Sequence, residues 1–531
     1  MTSLPVLASL LLLMAAGLGL VAAHRHPEEN WEERVARGLR PPVMALLVLL
    51  LWSNLCGIPA IDWNAARVTP SVALLHGINF YGTITHGPYL GWTYGPVMPL
   101  LLLPAALLPG ITFKLLVAGL LAQAFTLLPL ILTQDWSVAA TRKISVLGGL
   151  LAVFACLCNW PTLELLSLVH VDAFALGLGV GSCLVLTPRN DSPPGEKRLV
   201  IAALLAALCV WTKQIDVPVV LAQFLFLGAA WGWRNAWRYA IWFFGLATGL
   251  TAVFTGIFGG EEIVFNLFWV SAHQAWTSSL ARHIYWQVLM GAPFILLLLV
   301  AACRPESGSV ILVPGSSNTP LRAQPWLLVA LAGLCLIPTS AMAAAKFSGG
   351  INSYHSLYFF IAASAMAVGR RAQAATGKSA ERMWRRLLLG SLAIMATIGI
   401  FNVVTLHPLR LTPDLRAEQT LALARSQPGT LYLPWYPLAG LLTEKKLYAF
   451  DDAVFNLLAA GAAPDAMAIQ AAVPAHVRLL AYQTDVIASQ AMLAYYPELH
   501  RTFRRAGWTI YAPGLPEAKT DPTTPNSLPS R

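Results

Sequence analysis

The chain has 531 residues, 57% of them hydrophobic and 11% charged, and carries a net charge of +10. That balance excludes an ordinary soluble globular protein, in which about a quarter of residues are charged. The positive charge does not indicate a nucleic acid partner, because the basic residues are scattered over loops and do not gather on one face.

Apolar runs long enough to cross a bilayer recur as far as Leu406 and then stop. They predict an all-α polytopic membrane protein with about twelve transmembrane helices, near residues 3–23, 43–60, 112–133, 144–160, 172–188, 199–213, 215–232, 238–257, 285–302, 325–342, 354–369 and 386–406. The first run ends on Val21-Ala22-Ala23, which looks like a signal-peptide cleavage site, but no basic segment precedes it and basic residues follow it. It is read as a retained helix, so residues 1–42 are an extra N-terminal helix and a cytoplasmic loop.

The second span ends at Asp62, which opens a polar loop running from Ile61 to Pro96 within a first outer segment, residues 61–111. A carboxylate at the end of a spanning helix sits in the interface, where it stays ionised and can face a membrane cavity. The loop also offers Arg67, His76, Asn79 and His86, and it closes on Tyr94-Gly95-Pro96. The proline-rich stretch Val97–Gly110 reads as an interfacial or re-entrant helix and not as a span.

Orientation follows from Lys and Arg placement. With the Asp62 loop outside, nineteen basic residues fall in inside loops, while the outside loops hold Arg67, Lys114, Lys213, Arg282 and Lys346. Both termini are then outside. The protein is expected in the plasma membrane as a multi-pass protein, with its polar clusters on the extracytoplasmic side.

Further along, Asn159–Asp172 gathers Glu164, His170 and Asp172 near the outer face. These could hold a divalent metal (Mg or Mn), or Asp172 could simply cap the next helix. Lys213 and Gln214 occupy an outer turn, where the lysine can meet a phosphate or pair locally with Asp216. Phe258–Trp286 is rich in aromatics suited to headgroup depth, and it carries an outer Arg282 that membrane insertion does not require. A polar stretch from Lys346 to His355 holds Gly349-Gly350 and Asn352. The seven cysteines show neither a disulfide framework nor zinc spacing.

Residues 407–512 have a soluble composition. Short apolar runs at Thr430–Leu433, Leu447–Phe450, Val477–Tyr482 and Trp508–Ala512 alternate with helical stretches, which predicts a small extracytoplasmic α/β domain. Asp451-Asp452 reads as a helix cap. The tail 513–531, rich in Pro, Thr and Ser, is expected to be disordered.

The layout from Asp62 to Pro104 resembles the first outer loop of the GT-C glycosyltransferases, and within them the family 87 mannosyltransferase-like group. The matching pieces are Asp62, Ala65-Ala66, Leu75-His76-Gly77, Phe80-Tyr81, Tyr94-Gly95-Pro96 and Leu101-Leu102-Leu103-Pro104. Gly95-Pro96 stands where that group commonly has Pro-Pro. His170-Val171-Asp172, Lys213-Gln214 and the Lys346–His355 stretch are similar to GT-C features at corresponding outer turns. The resemblance implies an enzyme that moves a hexosyl or pentosyl group from a polyprenyl-phosphate donor to a lipid or glycan acceptor of the cell envelope, with inversion. It casts Asp62 as general base and Lys213, Arg282 and Lys346 as the clamp on the donor phosphate. His76, His86, Tyr94, Gln214, Asn352 and His355 are then candidates for sugar or acceptor hydroxyls. Two other classes compete: a transporter or flippase of a lipid-linked or small polar substrate, and an inactive scaffold whose outer domain binds a partner. Transporters place ionisable groups at the bilayer midplane, whereas this chain keeps them at outer loop ends.

Overall fold

Hydrophobic stretches broken by Gly, Pro and polar turns produce helices in the order the sequence dictates. A computed structural model describes residue 21 and residues 31–138, 160–187, 192–277, 325–346, 349, 351–372, 410–483, 490–505 and 507–513. Within it run α1 (Trp31–Gly57), α2 (Asp62–Leu75), α3 (Ile111–Val138), α4 (Trp160–Ser167), α5 (Val171–Leu186), α6 (Glu196–Thr212), α7 (Val217–Trp231), α8 (Trp233–Phe258), α9 (Pro325–Ala344) and α10 (His355–Ala372). Eight of the predicted spans fall on these helices. Those at 3–23, 144–160, 285–302 and 386–406 lie almost wholly outside the described residues.

Among the described residues, five stretches are long and apolar enough to cross a membrane: Pro41–Ala60, Ile111–Leu128, Gln214–Trp231, Trp233–Phe258 and Leu327–Ala344. The chain is an integral membrane protein. Helix α8 carries Trp237, Ile241, Phe244, Val253 and Ile257 exposed along its length, a surface that water would penalise and hydrocarbon accepts.

The segment after α1 departs from the predicted loop. Ile61 is extended, and Asp62 then starts the 14-residue helix α2, an acid placed favourably at a helix N-terminus. The helix stops at Gly77, whose φ of +68° few other residues tolerate. Ile78 N reaches back to Ala73 O and Gly77 N to Leu74 O, which is the paired bonding that closes many helix ends. Val97–Gly110 forms helices of five and four residues, too short to span. Lys114 Nζ donates to the carbonyls of Ala106 and Leu108 beyond them.

Residues 416–513 carry α11 (Arg416–Ser426), α12 (Pro437–Glu444) and α13 (Asp451–Ala459) with a four-stranded sheet of β1 (Leu431–Tyr432), β2 (Leu479–Gln483), β3 (Leu499–Arg505) and β4 (Trp508–Pro513). The strand order is β1-β2-β4-β3, with β1 parallel to β2 and the other pairs antiparallel. Leu447–Phe450, expected as a strand, pairs elsewhere: Ala449 N donates to Ala472 O and Phe450 N to Tyr89 O. Strand β3 was not anticipated, because LHRTFRR reads as polar and basic.

This region is fastened to the end of α1 and to the first loop. Trp52 Nε1 donates to Leu411 O at 3.0 Å, Arg410 N to Ser53 Oγ at 2.7 Å and Asp414 N to Cys56 O at 3.0 Å. Trp63 of α2 meets the rings of Trp435 and Phe450 edge-on at 5.2 and 5.4 Å. The charge asymmetry of the loops predicts which side this is. Alkaline phosphatase fused after Ser426 should be active in a bacterial host, whereas a cytoplasm-dependent reporter at the same point should be silent; the reverse pattern would overturn the twelve-span orientation.

Candidate active site

Where the first loop, the α4–α5 turn and the C-terminal region meet, they enclose a cavity of about 360 Å³. Helix α2 contributes Trp63, Asn64, Ala66 and Arg67, and the loop after it contributes Leu90 through Tyr94. Glu164 and Leu168 through His170 come from the α4–α5 turn, with Gln274 and Asn352 nearby. Phe450, Asp452, Phe455 and Asn456 close it from the C-terminal region.

Arg67 is the cation of this cavity. Its guanidinium lies 4.9 Å from the Tyr94 ring centre, 5.3 Å from Trp63 and 5.6 Å from Trp92. Among the described residues it makes no ion pair or hydrogen bond, and its Nε is buried without a partner. The loop is braced around it. Tyr81 Oη donates to Tyr94 O at 2.6 Å, and Asn64 ties α2 to the α4–α5 turn by accepting from Val169 N at 2.8 Å. Gly95 lies so close to the Trp211 carbonyl that no side chain fits there.

Beside the cavity lies a buried charge knot. Asp172 pairs with Lys213 through one oxygen, and its other oxygen is 2.9 Å from Nδ1 of both His170 and His355. His355 Nε2 in turn stands 3.1 Å from Glu164 Oε2. Asn352 Nδ2 faces His170 Nε2 at 3.4 Å, which suits the His170 tautomer with the proton on Nδ1. Burial holds the His170 imidazole down at about 4, with Arg67 and Lys213 adding to the effect against the pull of Asp172, so the ring is neutral at pH 7.

The predicted site residues divide accordingly. Tyr94, Glu164, His170 and Asn352 border the cavity, and His355 and Asp172 are buried beside it. Asp172 is not the helix cap; His170 occupies that position. The local Lys213–Asp216 pairing is replaced by Lys213–Asp172, so a phosphate would have to displace a buried carboxylate to reach this lysine. Lys346 is also committed elsewhere. Its Nζ donates to the carbonyls of Ala272 and Gln274 at 3.1 and 3.2 Å and sits over the Trp276 ring. Its part is to hold Gln274 in place. His76 ends α2 and is exposed, while exposed His86 pairs with Thr83 and Glu262; neither borders the cavity, nor does Gln214. Arg282 lies outside the described residues.

Asp62, the expected base, stands elsewhere. It does not border the cavity; its electrostatic neighbours are Arg416 and Tyr436 in the C-terminal region. A general base must come within hydrogen-bond reach of the proton it removes. One helical residue turns a side chain by about 100°, and the cavity-facing set begins at Trp63. Asp451 and Asp452 are corrected too: neither side chain caps α13. Asp451 accepts from Tyr482 Oη and from the amides of Ala491 and Met492, whereas Asp452 faces the cavity.

Ligand atoms of His170, Asp172 and His355 all lie within 4.8 Å of one another, close enough to surround one ion. Two imidazoles and a carboxylate fit Mn²⁺ or Zn²⁺ better than Mg²⁺, which prefers an all-oxygen shell, and His355, whose two nitrogens face Asp172 and Glu164, would have to release a proton to bind the ion. Glu164 touches this set through His355 and is not one of the clustered ligands.

No protein-family model matches the sequence, and no curated protein matches it. Solved structures share the fold at low sequence identity. ArnT from Cupriavidus metallidurans bound to undecaprenyl phosphate aligns with a TM-score of 0.55 at 11% identity, covering 90% of this chain and 98% of that one. The apo state of the same protein gives 0.54 at 12% identity with equal coverage. The archaeal oligosaccharyltransferase AglB from Archaeoglobus fulgidus, in complex with an inhibitory peptide and a dolichol-phosphate, reaches 0.39 at 11% identity over 89% of this chain and 75% of that one, too low to argue from.

Burial raises the Asp62 carboxyl to about 7, partly offset by Arg416. A carboxyl raised on folding contributes full stability below its unfolded value near 4 and loses it as pH rises through 7. Asp62→Asn should therefore melt with the wild type at pH 4 and above it at pH 8. Equal melting temperatures at pH 8 would contradict this account of Asp62.

Proposed function

We propose that the cavity is the active site of a glycosyltransferase that takes a sugar from a polyprenyl-phosphate carrier and passes it to a hydroxyl of a lipid or glycan acceptor on the extracytoplasmic face. The observation that carries the reading is Arg67. A half-buried guanidinium set among three aromatic rings, its Nε buried without a partner and no carboxylate within ion-pair distance among the described residues, is a site awaiting an anion. Arg presents a planar fork of donors that matches phosphate oxygens, and it gains strength where water is excluded. As the sugar departs, charge builds on the carrier phosphate, and a cation fixed beforehand at that point lowers the barrier.

The aromatic and amide walls suit the sugar. Rings of Trp92, Phe450 and Phe455 can lie against its apolar faces, and Asn64, Gln274, Asn352 and Asn456 offer hydrogen bonds to hydroxyls. A single displacement at the anomeric carbon inverts configuration. A divalent ion held by His170, Asp172 and His355 would supply Lewis-acid charge beside the cavity. The likeness of the Asp62–Pro104 stretch to the family 87 group supports a hexosyl or pentosyl donor. Against a transporter, Asp172, Lys213, Asp216 and His355 all stand at helix ends.

The test is affinity for undecaprenyl phosphate, measured by native mass spectrometry on the full chain in nanodiscs. Hydrogen bonds to charged groups contribute about 1.5–3 kcal/mol, so Arg67→Ala should weaken binding roughly 10- to 150-fold. Uncharged undecaprenol should bind both proteins alike. A variant that keeps wild-type affinity for the phosphate would remove Arg67 from the site.

A further inference from the structure

We infer that Asp452, supplied by the C-terminal region, is the catalytic base on the acceptor side of the cavity. The inference rests on the transferase reading above and adds a residue that membrane-loop motifs do not contain.

Its position is the first support. Asp452 sits in the first turn of α13 and borders the cavity together with Phe450, Phe455 and Asn456. The helix does not use it as a cap. Asn456 Nδ2 donates to Oδ2 at 2.8 Å, and among the described residues Oδ1 has no partner. One oxygen is thus fixed while the other is left for a hydroxyl. Rings and an amide around a carboxylate are the surroundings in which a sugar-like acceptor presents that hydroxyl.

The other nearby carboxylates are occupied differently. Asp172 is taken up by Lys213 and two imidazoles, and Asp451 by a tyrosine and two amides. Asp62 lies off the cavity. Glu164 borders it and is the rival, but His355 holds one of its oxygens. Electrostatics agree with the geometry. Burial raises the Asp452 carboxyl to about 6, Arg67 pulls it back, Asp451 adds to the rise and the Asn456 bond opposes it. Arg67, Tyr94, Glu164 and His170 are the other titratable groups on the cavity wall. A base of that strength is mostly ionised at pH 7 yet basic enough to accept a proton.

The step balances simply. The acceptor oxygen forms a bond to the anomeric carbon and gives its proton to Asp452 Oδ1. The bond from that carbon to the phosphate oxygen breaks, and its electron pair stays with the carrier phosphate, beside Arg67.

The experiment uses the full chain in nanodiscs, tritiated undecaprenyl-phosphate hexoses and pentoses, and an envelope fraction of the source organism as acceptor. Asp452→Asn should cut transfer about 10²- to 10⁴-fold. It should bind undecaprenyl phosphate at least as well as the wild type and, relieved of a carboxyl that burial disfavours in its ionised form, melt no lower than the wild type at pH 7. The wild-type rate should rise with pH through about 6, and the residual rate of the variant should not. Transfer by Asp452→Asn within a few-fold of wild type would overturn the inference, as would loss of that pH dependence in Glu164→Gln with its retention in Asp452→Asn. If the wild type neither binds undecaprenyl phosphate nor transfers from any donor, the transferase reading itself falls and this inference with it.

Discussion

The architecture around the cavity depends on the environment of one carboxylate. Asp172 starts α5, Lys213 ends α6 and His355 starts α10, so their contacts pin three helix ends to one another. A buried ion pair contributes little to net stability, since desolvation cancels most of the attraction. Removing one member is another matter, because the remaining charge is left without compensation, at a cost of about 3–5 kcal/mol. The knot therefore specifies an arrangement more than it stabilises one. It also fixes the cavity wall, since Glu164 leans on His355 and Asn352 on His170.

The second constraint comes from outside the helices. The C-terminal region is no separate appendage: Phe450 pairs its backbone with Tyr89 of the first loop, and its ring packs on Trp63. Phe450, Asp452, Phe455 and Asn456 then complete a cavity that the loops alone would leave open. A mostly aromatic seam suits this junction, because large apolar rings bury much area at modest entropic cost.

The sequence shows the helices well and the cavity only in part. Continuous apolar runs announce spans without any knowledge of partners, and outer-loop polarity flagged Tyr94, Glu164, His170 and Asn352. Roles were harder. Sequence leaves Lys213 open to a phosphate or to Asp216, and Lys346 open to a phosphate, but counter-charges are chosen in space: one finds Asp172 and the other backbone carbonyls. Asp62 stands off this cavity because its segment is helix and not loop, and its phase turns it toward Arg416. Arg67 stood in plain view but lacked its three rings, which only folding assembles. Asp452 lies far along the chain from the first loop, and no spacing rule links them. Its one sequence signal was an acid beside Phe450 and Phe455, a pairing common in ordinary cores.

One small contact governs how dry the cavity can be. Gly91 has a φ of +64°, and a Cβ added there would meet Ala453 Cβ at 2.7 Å. Loop and helix thus touch with nothing between them, immediately beside Asp452. A bulkier residue on either side would act as a wedge, parting the C-terminal wall from the first loop and admitting solvent. In a transferase, water is a competing nucleophile. Enlarging position 91 or 453 would then cost stability and, on the proposed transferase reading, also let water compete with the acceptor for the sugar.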